Sequence, residues 1–148
     1  NSDIIGFKNS IAPLLNPEHK KALIFGTGGA SKAVAEALKQ LNIDFKYVSR
    51  EPKKPKILTY NEVTGEMLSE FKLIINTSPL GMYPNIDSFP NIPYNAITSA
   101  HLIYDLVYNP EETLFLKNVK AHGAKTKNGL EMLYIQAEET WRIWNEEG

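Results

Sequence analysis

KALIFGTGGAS, residues 21–31, joins a short apolar run directly to a cluster of glycines. The run at residues 21–25 is too short for a helix and almost wholly apolar, which predicts a buried strand of a parallel sheet. A helical pattern follows the glycines, with apolar residues four positions apart at Ala33, Ala37 and Leu41. A strand, a glycine turn and a helix in this order predict one unit of an α/β fold.

The glycine turn has the features of a dinucleotide site. Such a site needs a tight turn, a backbone bare enough to approach the pyrophosphate, and a helix N-terminus directed at it. Gly26 is placed to make the turn and Gly28 the close approach, whereas Ser31 stands where the usual pattern has a third glycine. The alternative is a turn that only packs the helix on the sheet, and the strand–turn–helix setting disfavours it. The cofactor-binding residues predicted here are Gly26, Thr27, Gly28, Gly29 and Ala30.

Strand and helix patterns alternate along the rest of the chain. Further strands are expected at 45–48, 73–75, 102–104 and 124–126, and further helices at the N-terminus, 66–71, 111–121 and the C-terminus. Alternation of this kind is typical of a doubly wound parallel sheet. A length of 148 residues fits one domain. We therefore predict a single α/β domain with a Rossmann-like, doubly wound parallel sheet.

The C-terminal segment has apolar residues at helical spacing. Four of them fall on one face of the predicted helix: Leu133, Ala137, Trp141 and Trp144. An apolar face of this kind normally packs on the core of a domain. We therefore predict that both tryptophans are core residues and assign them no role in binding.

The composition excludes several classes of function. The 16 basic and 17 acidic residues give a net charge of −1, which argues against a broad nucleic-acid-binding surface. No apolar stretch reaches the ~20 residues of a membrane helix, so no membrane partner is expected. The chain has no cysteine and only three scattered histidines, so we expect no metal site and a reducing, cytoplasmic location. We expect a small-molecule ligand; the sequence does not fix the oligomeric state.

The end of the second predicted strand bears on the choice of nucleotide. NAD sites normally carry an acidic residue about 20 positions after the first glycine, where it holds the ribose hydroxyls. Here Ser49 and Arg50 occupy that region and Lys53 follows, and such cations suit the 2′-phosphate of NADP. We predict that these three residues bind the cofactor, although a solvated loop is the simpler interpretation of the charges alone. Glu51 opposes a phosphate and favours NAD instead.

Five ordered motifs resemble one known family. They are Asn1-Ser2-Asp3-x-x-Gly6, the turn at 26–31, Ile75-Asn76-Thr77-Ser78-Pro79-Leu80-Gly81-Met82, Tyr104-Asp105-Leu106-Val107-Tyr108-x-Pro110-x-x-Thr113, and Asn128-Gly129-Leu130-Glu131-Met132-Leu133-x-x-Gln136. Together they make the chain similar to the C-terminal, nucleotide-binding half of shikimate dehydrogenase. That family uses NADP to interconvert 3-dehydroshikimate and shikimate, which is a step in the biosynthesis of chorismate and the aromatic amino acids.

The resemblance implies roles for residues outside the glycine turn. Asp3 corresponds to a catalytic aspartate that also contacts the substrate, and Tyr108 and Gln136 to its hydroxyl and amide partners. Leu106 and Gly129 correspond to residues that lie against the nicotinamide. Four of these residues have a simpler structural explanation: Asp3 as a helix N-cap, Tyr108 as a half-buried tyrosine at a strand end, Gln136 as a solvent-facing residue, and Gly129 as a helix boundary.

The resemblance also implies a division of the chain. Residues 1–16 correspond to an inter-domain helix and residues 17–148 to the NADP-binding domain. In this family a lysine of the N-terminal substrate domain transfers the proton, and no lysine here lies in a matching motif. We therefore expect the chain alone to bind nucleotide but turn over little or no substrate. Two alternatives stay open, an NAD-using quinate/shikimate dehydrogenase relative and a non-catalytic nucleotide-sensing module.

Overall fold

The computed structural model describes residues 1–51 and 54–147 and contains one six-stranded sheet. The strands are β1 (Lys21–Phe25), β2 (Asp44–Ser49), β3 (Ile57–Thr59), β4 (Leu73–Asn76), β5 (Leu102–Asp105) and β6 (Lys125–Asn128). All five pairings are parallel, in the order β3-β2-β1-β4-β5-β6. The chain thus runs outward from β1 in one direction and returns to build the other half from β4. The predicted α/β, doubly wound sheet is confirmed.

In the part of the chain that the structure describes, five α-helices flank the sheet. They are α1 (Ser2–Ile11), α2 (Gly29–Gln40), α3 (Gly65–Glu70), α4 (Leu114–Lys120) and α5 (Leu130–Glu147). The predicted start of α4 at residue 111 is wrong, because the Thr113 hydroxyl accepts a hydrogen bond from the Leu116 amide at 3.2 Å and so caps the helix. Among the described residues, no helix combines the length and apolar character needed to cross a membrane.

Strand β3 has no counterpart among the strands predicted from the sequence. It contains three residues at the edge of the sheet, and each is only partly buried. Three half-buried residues are too few to show the alternation that marks a strand. The charged, proline-containing segment before it at residues 51–56 gives no further signal.

The core has two apolar layers, one on each face of the sheet. Ala22 and Ile24 of β1 point into the layer beneath α1, α2 and α5, whereas Leu23 and Phe25 point into the opposite layer. All four side chains are fully buried. Burial on both faces explains why β1 is a continuous apolar run with no alternation.

Helix α1 packs into the first of these layers. Phe7 and Ile11 are fully buried, and the Phe7 ring lies 5.0 Å from that of Tyr104 on β5. The hydroxyls of Ser10 and Tyr104 form a buried hydrogen bond of 2.6 Å. The helix is therefore an integral part of this domain. A location of residues 1–16 between two domains stays a prediction.

The C-terminal part of α5 contradicts the predicted core face. Trp141 and Trp144 are 69% and 77% exposed, and Leu133 is also exposed. Met132 is buried and Ile135 is partly buried, whereas every residue from 141 to 146 is exposed. Only the first turns of the helix therefore lie against the rest of the domain. The apolar spacing is real, but nothing in the described part of the chain covers it.

Candidate cofactor and substrate site

The candidate site lies where the strand order reverses, between β1 and β4. In doubly wound sheets, ligands bind in the crevice beyond the carboxyl ends of the strands at this point. Gly26 follows β1 and Thr77 follows β4. The Thr77 amide and hydroxyl both donate to the Phe25 carbonyl, at 2.7 and 2.6 Å. These bonds hold the two strand ends together under the crevice.

Gly26 meets two requirements that exclude other residues. Its φ of +101° lies in the left-handed region that side chains disfavour. In addition, a Cβ at this position would lie 2.6 Å from Thr77 Oγ1. The tight turn predicted at Gly26 is therefore present. It brings the chain against Thr77 and Ser78, the first residues of the loop that follows β4 (residues 77–93, the β4 loop).

Gly28 and Gly29 leave open space in front of α2. A Cβ at either position would have no atom within 4 Å. Gly28 is the N-cap of α2, and no side chain caps the helix. The first amides of α2 are thus available to an anion, and the helix dipole favours one there. Buried Ser31 fills the third-glycine position by turning its hydroxyl onto the Gly28 carbonyl at 2.6 Å.

A first cleft of about 780 Å³ opens beside this turn. It is lined by Gly26, Thr27, Gly28, Ser49, Arg50 and Tyr60, together with residues of the segment that follows β4, from Thr77 to Ser88. Five predicted cofactor residues therefore line one cleft. The Arg50 side chain is exposed at its rim. Lys53, also predicted to bind the cofactor, lies outside the described residues.

Tyr60 lines the first cleft although the sequence analysis did not single it out. Its ring packs edge-on against Phe25 at 5.2 Å. Burial raises the pKa of Tyr60 to about 12, and the nearby Ser78 hydroxyl and the charge of Arg50 partly oppose this rise. The cleft therefore presents a neutral phenol hydroxyl between the arginine and the β4 loop. No sequence pattern marks this residue, because its position depends on the unpredicted strand β3.

A second cleft of about 480 Å³ adjoins the first. It is lined by Ala30, Leu106 and Tyr108 together with the exposed side chains of Met82 and Tyr83. Residues 77–79 line both clefts. The two clefts thus share a wall formed by the start of the segment that follows β4.

Gly129 lies directly behind the second cleft. A Cβ at this position would lie 1.9 Å from the carbonyl oxygen of Leu106. Only glycine can accept this approach of two backbone segments. The structure therefore explains Gly129 through its contact with Leu106, the neighbouring residue that was predicted with it.

Asp105 at the end of β5 is a fully buried carboxylate. Its Oδ1 accepts hydrogen bonds from Asn76 Nδ2 at 3.1 Å and from the Val107 amide at 3.0 Å. Its Oδ2 accepts one from the Thr113 hydroxyl at 2.8 Å. Burial raises the pKa of Asp105 to about 6, and these three hydrogen bonds oppose the rise. The sequence analysis gave this residue no role.

Asp3 and Gln136 meet where α1 and α5 pack together. The Gln136 side-chain amide donates to the Asp3 carboxylate. Asn1, and not Asp3, is the N-cap of α1, since its side chain accepts from the Asp3 amide at 2.8 Å. The pair borders a third cleft of about 620 Å³, which also contains Trp141 and Trp144.

Comparison with known proteins was made over the whole chain. No family model matches. A shikimate dehydrogenase (NADP(+)) of Methanococcus maripaludis is 39% identical over 161 residues, which cover 97% of this chain and 56% of that protein. The chain is homologous to part of shikimate dehydrogenase. It spans about half the length of the curated relatives it matches.

Solved structures of shikimate dehydrogenases share the fold. A chorismate mutase/shikimate 5-dehydrogenase fusion protein from Clostridium acetobutylicum is 35% identical, with a TM-score of 0.82 over 99% of this chain and 56% of that one. The Thermus thermophilus enzyme, solved with NADP(H) and shikimate, is 30% identical, with a TM-score of 0.81 over 97% of this chain and 56% of that one. The described sheet is therefore that of the matched part of shikimate dehydrogenase.

The residues that the resemblance to shikimate dehydrogenase marks fall into three groups. The first cleft gathers Gly26, Thr27, Gly28, Ser49 and Arg50; the second gathers Ala30, Leu106 and Tyr108; and the third gathers Asp3 and Gln136. Gly29 follows Gly28 of the first cleft in the chain, and the backbone of Gly129 packs against Leu106 of the second cleft. Tyr108 and the Asp3–Gln136 pair border different clefts.

Proposed function

We propose that this chain is the NADP(H)-binding part of a shikimate dehydrogenase, an enzyme that reversibly reduces 3-dehydroshikimate to shikimate. The observation that carries the proposal is that residues 77–79 line both the first cleft, which contains the glycine turn and Arg50, and the second cleft, which contains Leu106 and Tyr108. The names of relatives 34–39% identical to the chain, shikimate dehydrogenase (NADP(+)), support the same activity.

We place the adenosine and pyrophosphate of NADP(H) in the first cleft. The open space at Gly28 and Gly29 admits a pyrophosphate to the uncapped amides of α2. Thr27 and Ala30 flank that approach. Ser49 and Arg50 then face the 2′-phosphate, which a guanidinium binds with paired hydrogen bonds. We also assign Lys53 to cofactor binding, on the basis of the sequence alone.

We place the nicotinamide in the second cleft, against Leu106 and with Gly129 behind it. When bound, the cofactor supplies or accepts the hydride. Leu106 provides an apolar surface and Tyr108 a hydroxyl at the edge of the same cleft. An apolar wall with few polar groups excludes water from the transfer while fixing the orientation of the ligand.

We assign the polar contacts with the substrate to Asp3, Gln136 and Tyr108, with Asp3 as the catalytic residue. The Asp3 carboxylate accepts hydrogen bonds and so suits the hydroxyls of a polyhydroxylated ring. Its hydrogen bond to Gln136 fixes its orientation, and the other amide proton of Gln136 stays available as a donor.

The proposal includes three expectations about the protein as a whole. The isolated chain should turn over little or no shikimate, because no lysine in it lies in the motif that would supply the proton. The enzyme should use NADP in preference to NAD, despite the exposed Glu51. It should be cytoplasmic, in keeping with a sequence that contains no cysteine.

Calorimetric titration of the chain with NADP⁺ and with NAD⁺ tests the proposal. We expect NADP⁺ to bind more tightly than NAD⁺. Arg50→Ala should lower the affinity for NADP⁺ by about 10-fold or more and change the affinity for NAD⁺ little. Arg142→Ala is the matched control, since this arginine pairs with Glu139 and Glu146 on α5, a helix that lines neither the first nor the second cleft. Equal affinity for the two nucleotides, or no binding of either, would contradict the proposal.

A further inference from the structure

Asp105 occupies the point where the two walls of the second cleft meet. One wall is residues 77–79, which follow β4, and the other is residues 106–108, which follow β5. Asn76 and Asp105 are the last residues of these strands and are register neighbours in the sheet. The fully buried carboxylate thus lies under both walls without lining the cleft itself.

The first wall depends on Asp105 through Asn76. Asn76 Nδ2 donates to Asp105 Oδ1 at 3.1 Å, which fixes the orientation of the amide. Asn76 Oδ1 then accepts from the Ser78 amide at 3.2 Å and from the Ser78 hydroxyl at 2.6 Å. Because an amide reversed by 180° would lose these bonds, Asp105 determines how Ser78 is held.

The second wall depends on Asp105 directly. Its Oδ1 also accepts from the Val107 amide at 3.0 Å, the residue between Leu106 and Tyr108. The Leu106 amide donates to the Asn76 carbonyl at 3.0 Å, so the two walls are joined by backbone as well. A single carboxylate oxygen therefore holds Val107 of the second wall and Asn76, the residue that precedes the first wall.

The burial of the Asp105 carboxylate has a cost in free energy. Burying an ionisable group is costly even with hydrogen bonds, and none of the three donors to Asp105 carries a charge. An apolar residue at the end of β5 would fill the core at lower cost. The carboxylate does what an apolar residue cannot, since it accepts at once from Val107 in the second wall and from Asn76, which holds the first.

We propose that Asp105 is a positioning residue that sets the spacing of the two walls and so shapes the second cleft for the nicotinamide end of the cofactor. The proposal rests on the proposed function, because it takes NADP(H) as the ligand. Asp105 acts through Asn76 and the Val107 amide and does not itself contact the ligand. Its removal should therefore affect one half of the cofactor and spare the other.

Two ligands distinguish binding in the first cleft from binding in the second. Adenosine 2′,5′-bisphosphate occupies only the first cleft, whereas NADPH extends into the second, and the fluorescence of its nicotinamide reports on that environment. For Asp105→Ala we expect NADPH affinity to fall about 10-fold or more and the bound nicotinamide emission to approach that of free NADPH. Affinity for the bisphosphate should stay within about twofold. A variant that only destabilised the fold would lower the affinity for both ligands.

Asp105→Asn is the conservative control. Its side-chain oxygen can still accept from Asn76 and Val107, so most of the NADPH affinity should return. If Asp105→Ala lacks the circular dichroism spectrum of the native chain, Asn76→Ala cuts the link to Ser78 and should show the same selective loss. Failure of both alanine variants to fold would assign Asp105 to folding alone and overturn the proposal.

The remaining outcomes are also decisive. If Asp105→Ala loses affinity for both ligands equally, or loses no affinity for NADPH, the proposed role of Asp105 is overturned. If the unaltered chain binds NADPH with no change in nicotinamide emission, the second cleft does not hold the nicotinamide and the inference fails. If the unaltered chain binds neither ligand, the proposed function itself fails, which is a distinguishable result.

Discussion

The Asp3 carboxylate accepts a hydrogen bond from the side-chain amide of Gln136, which lies 133 positions later in the chain. The contact exists because α1 and α5 approach closely at Gly6, where a Cβ would lie 2.8 Å from Gln136 Cγ and 2.9 Å from the Met132 carbonyl oxygen. Two residues identified separately from sequence motifs are thus partners. Their association requires the glycine of the first motif.

Gly6→Ala should separate α1 from α5. The added methyl group has no free space, and overpacking of this kind costs about 1–3 kcal/mol. Urea unfolding should show this loss. Gly29→Ala is the control, because its methyl group enters open space at the first residue of α2 and should be neutral or slightly stabilising. A Gly6→Ala variant as stable as the unaltered chain would mean that the helices are not in contact here.

Gln136→Ala in the full-length enzyme should raise the KM for shikimate. Loss of the amide removes one substrate donor and frees the Asp3 carboxylate to rotate, and we expect an increase of about 10-fold. Gln40→Ala, at the exposed end of α2, should leave the KM unchanged. Steady-state kinetics at saturating NADP⁺ provides the measurement. An unchanged KM in Gln136→Ala would count heavily against the substrate assignment.

Gly129→Ala should be among the most damaging substitutions in the chain. A methyl group there would lie 1.9 Å from the Leu106 carbonyl oxygen, so the backbone has to move. We expect a loss of about 3 kcal/mol or more in the free energy of unfolding. Gly28→Ala, whose methyl group meets nothing within 4 Å, is the stability control. Similar unfolding midpoints for the two variants would contradict the close approach at Leu106.

Asp105 should make stability depend on pH between about 4 and 6. Its pKa is raised from 3.8 to about 6 by burial, so in this range the folded chain binds a proton that the unfolded chain releases. Its contribution to stability is therefore greatest below about pH 4 and is lost as the pH rises towards 6. Over that range the difference amounts to about 3 kcal/mol.

Comparison with Asp105→Asn isolates this effect. The other titrating groups contribute alike to both proteins, so the stability of the unaltered chain relative to the variant should improve as the pH falls from 7 to 4. Urea unfolding at several pH values gives the difference. A difference that does not vary with pH would show that Asp105 titrates alike in the folded and unfolded chains.

Much of the fold could be predicted because its signals are local. The strand at Lys21–Phe25 is apolar along its whole length, and its boundaries match the prediction. The turn at Gly26 follows from the strain that other residues would have there. In contrast, β3 and Tyr60 depend on the pairing of β3 with β2, and a three-residue edge strand carries no periodic signal.

The errors in the site have a common physical cause. Helical spacing shows that Trp141 and Trp144 share a face but not whether another element covers it. Asp105 reads as an ordinary polar residue at a strand end, and only the fold shows that Asn76 and Val107 converge on it. Periodicity reports on one element at a time, whereas burial depends on what the rest of the chain brings to it.

Residues 77–79 line both clefts. A dinucleotide site is usually dissected by assigning each side chain to one end of the ligand and adding the effects. That procedure fails for residues shared by both ends, because their substitutions are not additive with changes on either side. Substitutions at Thr77, Ser78 and Pro79 should therefore change the binding of both halves of the proposed dinucleotide together.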